Sequence, residues 1–177
     1  MAKLIIFFIF SLNFEFGLDK FYSMRKKERE VSDIHDIESI INRADVCRVA
    51  FADKDMPYIV TMNFGYSGGE RKCLWFHCAN EGRKLDMIRK NNYVCFELDT
   101  DHKIEKGSLA CNFSMKYSSV VGYGNISIIN EPEDKIIGLD HIMFHYTGTT
   151  GFTYKSGLLA KTTILRLDIT EITCKRR

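Results

Sequence analysis

Arg83 and Lys84 stand side by side after Gly82, where an apolar strand ending in Phe76, His77 and Cys78 gives way to a helix-forming run through Leu85, Met87 and Ile88. Two cations at a helix start, beside backbone N–H groups with no intrahelical acceptor and the positive end of the helix dipole, make a seat for a phosphate. Asn80 has the side chain to cap that helix, and Leu85, Ile88 and Met87 supply its apolar stripe. A basic first turn alone is more often a solvated face, so its neighbours decide the matter. His77 is the neighbour that could move a proton, since imidazole is suited to acid–base work near neutrality. Period-two alternation sets Trp75 and His77 on one face of the strand and Phe76 and Cys78 on the other. The competing reading of His77 is a hydrogen-bonded core residue on an apolar strand.

Other candidate centres carry less. His141 and His145 have the i, i+4 spacing that can hold zinc, but no third ligand is evident and no Glu follows His141, so structural or surface roles are expected and no metal site is assigned. Cys73 and Cys78, five apart on a strand, fall on opposite faces and should neither pair nor share a metal. Gly122 and Gly124 lack the third glycine of a dinucleotide loop, and a β pattern continues where a helix should begin. A nicotinamide nucleotide would therefore have no Rossmann site.

The chain that must position these groups has 177 residues, 45% hydrophobic and 27% charged with two prolines, which suits one globular domain with a sizeable core. A formal charge of +2 without a basic stripe argues against a nucleic-acid partner. Six cysteines without a C-x-x-C pair, several in apolar runs, fit a reduced cytosol. The apolar run at residues 4–10 is too short to span a bilayer, and no A-x-A cleavage site precedes Met24. Met24 opens Met-Arg-Lys-Lys-Glu-Arg-Glu, which reads as a natural start, so residues 1–23 are expected to be an extension and 24–177 the domain.

Ser32 or Asp33 can cap a helix with Ile34, Ile37, Ile40 and Ile41 on one face, ending near Arg43. Strands are expected at residues 46–52, 58–66, 73–78, 94–98, 117–129 and 162–172, with turn chemistry at 53–57 and 68–69 and a polar loop at 99–107. Gly122 and Gly124 within a strand suggest a bulge or a close backbone approach. Pro132 suits the first turn of a helix running to Gly148. Six antiparallel strands with peripheral helices describe a mainly β (α+β) barrel, which leaves few exposed edges.

Three segments together carry a family likeness. They are the run from Pro57 through Val60, Thr61, Met62 and Asn63 to Tyr66; Phe76 and His77 followed by Gly82, Arg83 and Lys84; and Ala110-Cys111 through Ser114, Met115, Lys116 and Tyr117 to Ser119 and Gly124. From Met24 to the C-terminus the chain resembles the FMN-binding split barrels related to pyridoxamine 5'-phosphate oxidase, and within them the nitroimidazole-resistance branch. The resemblance implies a homodimer with FMN at the subunit interface. It implies phosphate contacts from Arg83 and Lys84, flavin-side contacts from Val60, Thr61, Met62 and Asn63, largely through backbone, a second contacting strand at Phe76 and His77, and a polar contact from Ser119. His77 is then the candidate catalytic residue. Pyridoxamine phosphate oxidases carry an R-L-x-P ending that seats the vitamin, whereas Arg166-Leu167-Asp168-Ile169 here lacks the proline, which speaks against that activity.

The functional expectation is a cytosolic FMN-dependent oxidoreductase passing electrons from NAD(P)H or a protein donor to a small organic acceptor, nitroimidazoles among the candidates. The alternative is a flavin- or haem-binding protein without turnover, with His77, His141 or His145 as a haem ligand. A third is a structural dimer whose basic helix start faces solvent.

Overall fold

The computed structural model of the protein describes residues 24–177. The reading of residues 1–23 as an extension lies outside the described residues. After a short 3-10 turn at Lys27–Arg29, helix α1 spans Ile34–Arg43. Of the two residues able to cap it, Asp33 does so, its carboxylate accepting from the His35 and Asp36 amides at 2.9 and 3.1 Å. Ile37, Ile40 and Ile41 on one face of α1 are buried in the main core.

The strands are β1 (Cys47–Asp53), β2 (Met56–Met62), β3 (Phe64–Ser67), β4 (Cys73–Ala79), β5 (Tyr93–Glu105), β6 (Ser114–Ile129) and β7 (Thr162–Arg176). Helix α2 is Arg83–Lys90, α3 is Pro132–Thr147, and α4 is a four-residue turn, Ser156–Leu159. All pairings are antiparallel, in the order β2-β1-β5-β6-β7-β4-β3. Seven strands replace the expected six because Asn63 divides the run at 58–66. Up to Met62 it pairs with β1, and from Phe64 it pairs with β4. One residue thus joins the two outer strands of the sheet. The sheet is wrapped into a barrel that the chain closes covalently, while its hydrogen-bond ladder is split.

The expected polar loop at 99–107 is instead mostly strand, since β5 continues to Glu105 after a register shift between Thr100 and Lys103. Lys103 faces Lys116 and Ile104 faces Met115 across this ladder, which projects with both faces largely exposed and so lacks the alternation that marks a half-buried strand. Of the two expectations for the β6 glycines, the close approach is met, since a Cβ on Gly122 or Gly124 would strike the β7 backbone, and the register shift between Tyr123 and Gly124 places its extra residue, Thr170, on β7. Strand β7 also runs past residue 172 to Arg176, pairing Thr173 with Val121 and Cys174 with Val120.

The main core fills the barrel, with Phe51, Phe64, Phe76 and Phe96 almost wholly excluded from solvent. A second cluster of Cys73, Trp75, Ile142 and Ile164 lies beneath α3. Gly65 makes that packing possible, because a Cβ there would collide with the backbone of His141 and Ile142. Helix α3 ends at Gly148 in the left-handed conformation, its amide donating to Phe144 O at 2.8 Å.

Candidate functional site

The split in the barrel is the site. β3 covers β4 only as far as Phe76, whose register partner is Phe64, so His77, Cys78 and Ala79 keep β7 on one side and have an uncovered edge on the other. β2 likewise pairs only with β1. Between these edges lies a cleft of about 460 Å³ lined by Val60, Thr61, Met62, Asn63, His77, Cys78, Ala79, Lys84, Lys161 and Thr162. Uncovered strand edges present backbone N–H and C=O groups in rows, able to bond a planar ligand with amide-like edges.

The cation-bearing end is built by Gly82 and α2. Gly82 has φ 129° and ψ 162°, a conformation essentially confined to glycine. The amides of Leu85 and Asp86 both donate to Gly82 O, and no side chain caps the helix. Asn80, expected as the cap, instead donates from Nδ2 to Ala160 O and accepts from Thr163 Oγ1, each at 2.9 Å. It ties the end of β4 to the start of β7 and leaves the first turn of α2 open to an anion. Lys84 lies beside Cys78; burial pushes the Cys78 thiol up, and the nearby ammonium opposes it.

Six of the residues read from the sequence surround this cleft: Val60, Thr61, Met62, Asn63, His77 and Lys84. Arg83 does not line it; its guanidinium lies over the Tyr58 ring, 4.5 Å from the centroid. The Phe76 ring is fully buried in the core, and Phe76 sits between β3 and β7 in the ladder, so its side chain offers a ligand nothing. Ser119 lies on β6, paired with Asp99 and Lys175, and does not line the cleft. Trp75 and His77 do share a face, but Trp75 is buried, stacked on His141 at 5.9 Å, whereas His77 is exposed at the cleft. The sequence reading missed Lys161 and Thr162. Both sit at the start of β7, and only the register that sets Thr162 against Ala79 reveals that they belong here.

Of the other two histidines weighed as ligands, His145 Nε2 lies 2.8 Å from Ala44 O with its ring against Phe64, and His141 stacks on Trp75, where burial lowers its pKa. All six cysteines are free. Arg166 lies over Trp75 and pairs with Asp168 at 2.8 Å, both residues being part of β7.

An antiparallel split barrel with a cation-ended cleft along its seam is the class of protein that fold and site define. The chain belongs to the pyridoxamine 5'-phosphate oxidase family, whose model matches residues 33–176. It is 34% identical to a candidate 5-nitroimidazole antibiotic resistance protein of Bacteroides thetaiotaomicron VPI-5482, over 83% of this chain and 86% of that one, with a TM-score of 0.72. A flavocytochrome of Azotobacter vinelandii shares the fold at 16% identity and TM-score 0.72, over 90% of this chain and 74% of that one. An FAD- and haem-binding protein of Mycobacterium smegmatis shares it at 14% identity and TM-score 0.71, over 84% and 73%. No curated protein matches. No helix among the described residues is long and apolar enough to cross a membrane.

Proposed function

We propose that this protein is an FMN-dependent oxidoreductase of the cytosol, acting as a homodimer and reducing a small organic acceptor such as a nitroimidazole. The seam cleft carries the reading. Its donor set suits a flavin nucleotide: Lys84, Lys161 and the open first turn of α2 match a phosphate, while two uncovered strand edges with Val60 and Met62 match a flat, partly apolar ring. Bound FMN would supply reversible hydride transfer. Lys84 and the α2 amides would hold the nucleotide in one orientation, and residues 60–63 would bond the ring edge.

His77 is exposed where the cleft opens and is the side chain placed to give a proton to an acceptor receiving electrons. The acceptor class is suggested by the name of the Bacteroides thetaiotaomicron relative, which is 34% identical. Exposed Ile104, Leu109, Phe113 and Met115 on and around the β5–β6 ladder give a second copy of the chain an apolar face to cover. A contact from Ser119 to the flavin would come from that copy. Electrons would come from NAD(P)H docking transiently or from a protein donor.

The test is spectroscopic. Purified protein loaded with FMN is reduced anaerobically with NADH, NADPH or, separately, dithionite, and a nitroimidazole is added. Bleaching followed by stoichiometric reoxidation is expected. Dithionite-reduced flavin that the acceptor leaves reduced would overturn the oxidoreductase reading in favour of cofactor binding without turnover.

A further inference from the structure

A cavity of about 530 Å³ opens between the end of β3 and the outer flank of α3, lined chiefly by Tyr66, Ser67, Ile137, Asp140, His141 and Phe144. It shares no lining residue with the seam cleft. We infer that this cavity is a second ligand site, for a small organic cation: an ammonium group carrying alkyl substituents. The inference stands apart from the flavin reading, because the two sites have no residue in common.

The wall comes from a helix stripe. Ile137, Asp140, His141 and Phe144 stand at i, i+3, i+4 and i+7 of α3, so one face of the helix turns toward the cavity. Ile137 and Phe144 are each about half exposed, which leaves apolar surface for a ligand to cover. Phe144 supplies one aromatic ring from α3 and Tyr66 a second from β3, and the faces of such rings attract a cation lying within about 6 Å of the centroid.

The charge of the lining has the same sense. Asp140 Oδ1 accepts from Tyr154 Oη at 2.7 Å, which uses one of the roughly four acceptor positions of a carboxylate. Glu38 brings a second carboxylate to the rim, where its Oε1 accepts from Tyr66 Oη at 2.9 Å and lies 3.1 Å from the place a Cβ on Gly68 would take. Among the described residues that line the cavity there is no lysine or arginine to neutralise them. Burial also holds His141 below the usual imidazole pKa, so that ring adds no charge at neutral pH. A phosphate or carboxylate ligand would meet repulsion here, whereas an alkylammonium ion meets a carboxylate for its charge and two rings and Ile137 for its alkyl groups. The lining is preorganised, since Glu38 fixes the Tyr66 hydroxyl, Tyr154 fixes Asp140, and His141 stacks on Trp75 at 5.9 Å.

The probe is choline, titrated into isotopically labelled full-length protein without FMN and again with it, while amide shifts are followed. Its uncharged isostere, 3,3-dimethylbutan-1-ol, is the control. Choline should shift residues 66–68, 137–144 and Thr150, and the isostere should bind at least fivefold more weakly. Phe144→Ala should weaken choline by about 2- to 30-fold, the range of a cation–π contact from an exposed to a desolvated site. Asp140→Asn, which keeps an acceptor for Tyr154, should also weaken choline while leaving the isostere unchanged. FMN affinity should stay within twofold in both variants. No binding, shifts that map elsewhere, equal affinity for the isostere, choline affinity unchanged in either variant, or choline displaced by FMN would overturn the proposal. Failure of FMN to bind would count against the seam reading alone, since the cation is mapped without flavin.

Discussion

Replacing Lys84 by alanine separates a true phosphate seat from a merely basic helix start. Lys84 lines the cleft and Arg83 does not, although the two are adjacent in the chain. A hydrogen bond between a charged donor and a phosphate contributes about 1.5–3 kcal/mol, so Lys84→Ala should weaken FMN by roughly 10- to 150-fold. Arg83→Ala removes a cation–π contact with Tyr58, worth about 0.5–1 kcal/mol at an exposed site, and should show mainly as a small loss of stability. Titration of the cofactor-free variants with FMN, followed by quenching of flavin fluorescence at low and high salt, reads both affinities. The loss in Lys84→Ala should shrink at high salt, as screening weakens the charge in the parent protein. A fall of less than threefold in Lys84→Ala, or an equal fall in Arg83→Ala, would refute the geometry argued here.

Gly82→Ala puts a side chain on a φ of 129° with nothing within 4 Å to strike, so its cost is backbone strain alone, about 1–3 kcal/mol, seen as a lower midpoint in urea. His77→Gln should cut acceptor reduction by roughly 10²- to 10⁴-fold in single-turnover assays while FMN affinity holds, as expected of a proton donor. Asp101 has its pKa lowered, first by the hydrogen bond from Arg43 and then by that from Ser118. A depressed carboxylate stabilises the fold above its unfolded pKa and loses that contribution as pH falls through the folded value. Asp101→Asn should therefore be less stable than the parent at neutral pH, with the gap closing in acid, as measured by denaturant unfolding across pH.

Much of this fold could be read from the chain. The expected strands exist, the run at 58–66 as two, as do the Asp33 cap and the α3 start at Pro132, because each depends on residues close in sequence. The missed features depend on residues far apart. Nothing around Asn63 announces that the strand changes partners there, since Met62 and Phe64 are equally suited to either ladder. Asn80 has the composition of a cap, yet Ala160 and Thr163, 80 or more positions later, claim its side chain. Lys161 follows the same rule. The solvated end of β5 escaped because hydrophobic alternation reports burial, not strand geometry.

The single residue between β2 and β3 has a mechanical consequence. A barrel closed by hydrogen bonds must break them to widen, but this one can widen along its seam by rotating about the Asn63 backbone while all its antiparallel pairings persist. The seam is then the softest direction of an otherwise stiff body. A flat molecule bridging the two edges acts as a strut across a clip, damping the breathing of residues 60–62 and 77–79 and leaving the far wall formed by β5, β6 and β7 unchanged. Slowed amide exchange along those two edges, with the far wall unchanged, would be the signature of a ligand that completes the sheet.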